Sequence, residues 1–319
     1  MHKLTDFLAS VYFGMATPLV LADTLASKAA AFKAPQEVIV HDLPLDKDGD
    51  GISTEEPFLS RDGKFLFFNS GESENHKDLH YAKLQDERWV YQAEMGPGVN
   101  TPDDVEGNPT LDSAGNFYFV DSKFPHMIRG GTFHSVTGEL SDLYEVQEVP
   151  KKEVQLFRQQ IFGNMGVEVS ADGDLLFFDR AAWQLRLIAL GQIFASDIYF
   201  LERKAGRWAY DEAKAKRIMA AINTDDCEYA ESLSTDTLEI FFTRLDPRNI
   251  KPGNVRSKIM YSSRNAITEP FPKPVAIPAI GESDFVEAPS ISADGQALYY
   301  HKLVRQGTFR IFKVSRKAY

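Results

Sequence analysis

Leu59-Ser60-Arg61-Asp62-Gly63, running into Phe65-Leu66-Phe67-Phe68, is a reversal followed by a wholly apolar strand. Ser and Asp side chains cap such a reversal by bonding its backbone, and Gly supplies the positive φ a tight hairpin needs. The unit returns along the chain. Leu111-Asp112-Ser113-Ala114-Gly115 precedes Phe117-Tyr118-Phe119-Val120, and Val169-Ser170-Ala171-Asp172-Gly173 precedes Leu175-Leu176-Phe177-Phe178. Leu233-Ser234-Thr235-Asp236-Thr237 leads to Ile240-Phe241-Phe242, and Ile291-Ser292-Ala293-Asp294-Gly295 to Leu298-Tyr299-Tyr300. A strand apolar on both faces is expected where sheets pack on either side of it.

A second strand follows each hairpin in the same order: Asp78-Leu79-His80-Tyr81, Asp142-Leu143-Tyr144, Asp197-Ile198-Tyr199-Phe200, Lys258-Ile259-Met260-Tyr261 and Arg310-Ile311-Phe312-Lys313. Each repeat therefore reads as strand A, the turn, strand B, a variable loop, strand C and an outer strand D. The last copy ends without a strand D, and a matching segment stands at the other terminus as Glu37-Val38-Ile39-Val40. Sharing one sheet between the two ends closes a ring and removes exposed edges. The fold expected is all-β: a five-bladed β-propeller over residues 34–319, latched by N- and C-terminal strands in its last blade. Residues 1–33 are expected to be a signal-peptide-like or helical segment.

Three stretches carry a family resemblance. They are Gly98-Val99-Asn100-Thr101-Pro102-Asp103-Asp104-Val105-Glu106, Ile222-Asn223-Thr224-Asp225-Asp226-Cys227-Glu228 and Ser283-Asp284-Phe285-Val286-Glu287-Ala288-Pro289. With the turns that follow, they resemble the TolB-type (WD-like) β-propeller repeat of bacterial extracytoplasmic proteins. The resemblance implies a fold; such propellers serve as binding platforms, peptidase appendages and enzymes. TolB itself has six blades, and Met165-Gly166-Val167-Glu168 lacks the acidic run.

A net charge of −11 excludes nucleic acid as a general partner, since phosphate backbones require a basic face. The single cysteine, Cys227, excludes an internal disulfide and follows two aspartates that disfavour a thiolate. His2 and Lys3 precede an apolar stretch from Phe7 to Ala22 with a small-residue cleavage pattern; Asp6 stands in the basic leader and Pro18 interrupts the apolar run. The expectation is export to the periplasm or outside the cell, with no integral span in the mature chain; the chain stays cytoplasmic if the segment is not a signal.

In a propeller the D–A and B–C loops share the face around the central channel. The D–A loops bring Asp104 and Glu106, Asp226 and Glu228, and Asp284 and Glu287; the B–C loops begin with Lys123, Arg180, Arg244 and His301-Lys302. Carboxylates beside cations suit a glycan or a protein or peptide ligand, and that ligand-binding face is the leading expectation. Two further readings stay open: a glycoside hydrolase or polysaccharide lyase using an Asp/Glu pair from the D–A loops, and a structural module of an envelope assembly. For the last, the apolar run Ala181–Leu190 is the expected contact. Repeated acids at equivalent positions also fit loop capping. Asp46-Lys47-Asp48-Gly49-Asp50-Gly51 matches the first half of a calcium loop, with Pro57 at the twelfth position and Glu55 or Glu56 as the substitute ligand, so a structural calcium on Asp46, Asp48, Asp50 and Glu55 is the cofactor expectation. The histidines lack zinc spacing.

Overall fold

Each repeated turn closes as its chemistry demands. In the first, Ser60 Oγ donates to Asp62 Oδ1 at 2.6 Å and accepts the Phe65 N–H at 2.9 Å, with Gly63 at φ 71°. Ser170, Ser234 and Ser292 repeat the pair with Asp172, Asp236 and Asp294. The second turn puts Asp112 in the serine position, where Oδ1 accepts the Ala114 and Asn116 N–H groups at 2.8 Å. The fourth lacks glycine, and Thr237 takes φ 58° in its place, at a cost of about 1–2 kcal/mol.

The computed structural model describes residues 25–317 except 74–75, 97, 103, 124–126, 185–192, 251–254, 283 and 306. Among the described residues its strands form four sheets, one of ten strands in which a single parallel pairing, Ser196 with Cys227, joins two antiparallel meanders, so that five meanders follow one another along the chain. The first blade is β3 (Glu55–Leu59), β4 (Phe65–Ser73), β5 (His76–Gln85) and β6 (Arg88–Glu94). The second is β7 (Glu106–Leu111), β8 (Asn116–Asp121), β9 (Ile128–His134) and β10 (Glu139–Glu145). The third is β13 (Val167–Val169), β14 (Leu175–Gln184), β15 (Ile193–Lys204) and β16 (Arg207–Tyr210), with an added hairpin of β11 (Glu153–Gln155) and β12 (Gln160–Gly163). β17 (Cys227–Leu233), β18 (Glu239–Leu245), β19 (Ser257–Ser263) and β20 (Val275–Ala276) make the fourth. The fifth joins β21 (Val286–Ile291), β22 (Ala297–Arg305) and β23 (Thr308–Ser315) to β1 (Gln36–Glu37) from the other end of the chain.

Closure is present, but the closing segment divides its work. Gln36 and Glu37 pair with Lys313 and Phe312, and the Val38 N–H donates to the Ile311 carbonyl at 2.8 Å. The expected strand over 37–40 does not continue on that blade. Val40 and His41 (β2) instead run parallel to β6, opposite Trp89 and Val90. One short segment thus sews the last blade to the first.

The double-faced apolar strands are explained by the core. Buried clusters lie between every pair of neighbouring blades: Phe67 with Phe117 and Phe119, Tyr118 and Val120 with Leu176 and Phe178, Phe177 with Ile240 and Phe242. Phe241 with Leu298 and Tyr300, and Leu66 and Phe68 with Tyr299, complete the circle. Alternate residues of each strand B serve opposite neighbours, so no face of it meets water. Leu25, Ala29 and Phe32, ahead of the closing strand, pack into the cluster between blades four and five; the packed chain begins before residue 34. The helix Glu212–Ile218, capped by Asp211, buries Ala215 and Ile218 between blades three and four. Cys227 is fully buried, and burial pushes its thiol up to about 12. No described helix is long and apolar enough to cross a membrane.

Candidate functional site

The innermost strands β3, β7, β13, β17 and β21 expose their channel-side backbone, and buried N–H groups require partners. Two rings of side chains supply them. Thr110, Glu168, Ser232 and Ser290 each accept the N–H of the next blade's residue before the turn: Val169 at 3.2 Å, Leu233 at 3.3 Å, Ile291 at 3.1 Å and Leu59 at 3.1 Å. Phe58 holds the fifth position and cannot accept. Nearer the loop face, Glu56, Asn108, Ala230 and Ala288 all sit at φ 48–50° in bulges that break the strand A register. Their N–H groups go to the preceding blade. Glu56 donates to His301 Nδ1 at 2.9 Å, Ala288 to Thr243 Oγ1 at 3.0 Å, Ala230 to Asp179 Oδ2 at 3.4 Å, and Asn108 to Glu56 Oε2 at 2.7 Å.

The D–A acids are spent on their own loops and neighbours. Glu106 accepts from Thr101 Oγ1 at 2.7 Å, and burial pushes its carboxyl up to about 7. Glu228 accepts from Thr224 Oγ1 at 2.6 Å and pairs with Arg244 at 2.7 Å. Asp104 receives the Ser122 hydroxyl at 3.4 Å, Asp226 pairs with Arg248 at 2.6 Å, and Asp284 with Lys302 at 2.7 Å. Arg180 lies over Phe162 and pairs with Glu153 at 3.3 Å, both on the added hairpin. These residues ring the loop face without converging on one point.

Glu287 and His301 do meet. Tyr229 donates its hydroxyl to Glu287 Oε1, and His301 Nε2 lies 3.3 Å from Glu287 Oε2. Because His301 Nδ1 accepts the Glu56 N–H, the network assigns the ring proton to Nε2. Beside them Lys77 holds Glu55 at 2.6 Å. That pairing commits one Glu55 carboxyl oxygen to Lys77. Asp46 Oδ1 accepts the N–H groups of Asp48 and Asp50, both at 2.9 Å, and Asp50 pairs with Arg305. Among the described residues no three His, Cys, Asp or Glu side chains gather closely enough to hold one metal ion.

Deeper in the channel lies a group of acids that repeat reasoning missed. Glu168 is 2% exposed and is held by Arg61, which reaches across from the first turn: Nη2 to Glu168 Oε1 and to the Val169 carbonyl, both at 2.8 Å. Burial raises the Glu168 carboxyl, and the Arg61 guanidinium opposes the rise. Asp179, fully buried, takes the Met165 N–H at 2.9 Å, and burial pushes it up to about 7 with the Glu56 charge adding to the rise. Glu231, 3% exposed, has neither carboxyl oxygen bonded to any other side chain or backbone group of the described protein. Burial, then the Asp179 charge, raises it well above the usual range. The signal was legible by aligning the strands: Glu231 stands where the other blades carry Pro57, Pro109, Val167 and Pro289. Arg61 likewise occupies a turn position held by Ser113, Ala171, Thr235 and Ala293 elsewhere. A cavity of about 490 Å³ on the turn face is lined by Lys28, Asp236 and Arg316 and by none of these acids.

Of the expected apolar contact Ala181–Leu190, Ala181 and Ala182 are buried in β14; residues 185–190 lie outside the described residues. The stretch Phe7–Ala22 lies outside them too.

No protein-family model matches this chain, and no curated protein matches it by sequence. Solved structures do. A GH62 hydrolase in complex with xylotriose superposes with a TM-score of 0.56 at 8% identity, over 92% of this chain and 100% of that one. An endo-arabinase from Bacteroides thetaiotaomicron gives 0.49 at 12% identity, over 90% and 98%. TolB from Acinetobacter baumannii gives 0.41 at 14% identity, over 86% and 59%. At such identities the likeness is one of fold. The ring of blades, its inter-blade core and its terminal latch make this chain a β-propeller.

Proposed function

We propose that this chain is an exported propeller of the TolB-type repeat that binds a hydroxyl-rich ligand, a glycan, on its channel axis. Glu56, Asp179 and Glu231 from blades one, three and four supply the floor, and the Tyr229–Glu287–His301 chain supplies the rim. The observation that carries the reading is Glu231: a desolvated carboxyl whose two oxygens find no partner on any other described residue, at a position the repeat does not need to be acidic. Groups left unsatisfied in a native core call for an explanation, and perturbed acids gather at functional sites. A neutral acid donates and an ionised one accepts, which is the mixed pattern that sugar hydroxyls require. Glu56 and Glu287 are partly open, so contact starts there.

The test is calorimetric titration with a panel of pentose and hexose oligosaccharides on the wild-type chain, Glu56→Gln and Glu231→Gln. Expected is binding by the wild type that both substitutions weaken at least tenfold. No heat with any sugar at millimolar concentration, or unchanged affinity in Glu231→Gln, overturns the reading. A second reading, hydrolysis, is favoured by the unequal surroundings of the two carboxyls, since Asp179 takes the Met165 and Ala230 N–H groups while Glu231 takes none from another described residue, and an acid and a base need such a difference. It requires release of reducing ends from the bound oligosaccharide, and loss of that release in Glu231→Gln.

A further inference from the structure

The hairpin β11–β12 carries a tip that its chemistry does not explain. Glu153 faces Phe162, Val154 faces Ile161 and Gln155 faces Gln160. The chain then reverses, with the Arg158 N–H on the Gln155 carbonyl and the Gln159 N–H on the Leu156 carbonyl, both at 3.1 Å. Gln159 takes φ 53°. The two residues at the crest are Leu156 and Phe157. Crests of tight turns normally carry Gly, Asn, Asp, Ser or Pro, because they face water and strain the backbone. Here Leu156 is 74% exposed, Phe157 is 107% exposed, and Val154 below them is 46% exposed.

The base of the hairpin is firmly set. β12 pairs with the end of β14 from Gln160 opposite Gln184 to Gly163 opposite Ala181, and Arg180 clasps Glu153 and Phe162. Lys152 Nζ donates to the Ser122 carbonyl of the second blade at 3.0 Å. A fixed stalk therefore presents an apolar point on the loop face. Arg158 beside the crest and Lys151 at the foot of the stalk are both exposed, on a chain whose net charge is −11.

We propose that this finger is a membrane-surface anchor, dipping Leu156 and Phe157 into the boundary between headgroups and acyl chains while Lys151 and Arg158 meet lipid phosphates. The size of the tip decides between a bilayer and a protein groove. Three side chains offer roughly 400 Å² at most, well short of the roughly 800 Å² per partner of a stable protein interface. An interfacial anchor needs no more than a few apolar side chains with neighbouring cations. The shape agrees, because a convex tip suits a soft receiving surface. The rest of the chain, being acidic, is repelled by anionic lipid, which leaves the finger as the point of contact.

The full chain is floated with vesicles of 70% phosphatidylcholine and 30% phosphatidylglycerol, and with pure phosphatidylcholine vesicles, at low and physiological salt. Half-binding is expected at lipid concentrations on the order of 1 mM, weak as a single small anchor must be. The double substitution Leu156→Glu, Phe157→Glu is expected to lower partitioning at least tenfold with an unchanged melting temperature, since neither side chain is packed. Lys151→Glu with Arg158→Glu is expected to remove the preference for anionic vesicles. Absence of flotation with either vesicle at several millimolar lipid overturns the proposal, as does binding that the tip substitutions leave intact. Concentration-dependent self-association that Leu156→Glu, Phe157→Glu abolishes, without vesicle binding, assigns the tip to a second copy of the chain and overturns it equally.

Discussion

Arg61 is the cation that holds Glu168 in the channel, and replacing it with Met tests the account of that channel. Its side chain is 7% exposed and Glu168's is 3%, so the 2.8 Å pair has little water to screen it. Nη2 also holds the Val169 carbonyl, and the guanidinium lies over the Phe58 ring, 5.2 Å from its centroid. Removing one partner of a buried ion pair leaves an uncompensated charge and costs about 3–5 kcal/mol. Arg61→Met keeps much of the packing volume, so about 4 kcal/mol is the expected loss, a large share of a domain's stability. Glu168 retains its bonds from Thr110 and Leu233, and it answers the missing cation by taking up a proton. Its folded pKa then lies further above the unfolded value than burial already places it. The stability of a group so raised is present at low pH and lost as pH rises. The deficit of Arg61→Met should therefore be small at pH 5 and larger at pH 8. Glu168→Gln should recover part of it, leaving a coupling of about 2 kcal/mol in the double-mutant cycle. Urea unfolding at both pH values reads these quantities. Additive single losses within about 0.5 kcal/mol, or a deficit independent of pH, refute the view that Arg61 neutralises Glu168.

Three further outcomes follow from the same geometry. Val38→Pro deletes the N–H that bonds Ile311 in the terminal latch, and thermal unfolding should register a loss of about 3 kcal/mol; an unchanged midpoint would mean the latch contributes nothing. His80 is buried against Phe68 and Tyr91, and burial lowers it to about 4. A base so depressed gives stability that is whole above its unfolded pKa of 6.5 and lost as pH falls toward 4, up to about 3 kcal/mol. His80→Phe should flatten that part of the pH profile measured by urea unfolding. Asp179 acts with the opposite sign: raised to about 7 from 3.8, its contribution is whole below 3.8 and lost as pH climbs through 7. Asp179→Asn should make the chain less sensitive to pH between 4 and 7, and an identical slope in the variant would place the titration elsewhere.

The fold was legible because its signal was repeated. A Ser60–Asp62 turn alone is a common motif, but five copies followed by strands apolar on both faces have few ways to bury themselves other than a ring. The latch was legible for the same reason, since a missing strand at one end matched a spare one at the other. Its division between two blades was not, because Val38 and Val40 look alike in sequence and differ only in which neighbour the curvature offers. The site inverted the rule. Acids that repeat, such as Glu106 and Glu228, drew attention as a ligand face, yet repetition marks what every blade needs, here the closing of a D–A loop on Thr101 or Thr224. The residues with no structural duty are those that break the repeat: Glu231 among prolines, Leu156 and Phe157 at a turn crest, each placed where folding gains nothing from them. Arg61 breaks it too, and there the structure supplies the reason, a carboxyl on the far side of the channel. In a repeat protein the recurring positions build the scaffold, so departures from the consensus, read against burial and unmet hydrogen bonds, are where function should be sought first.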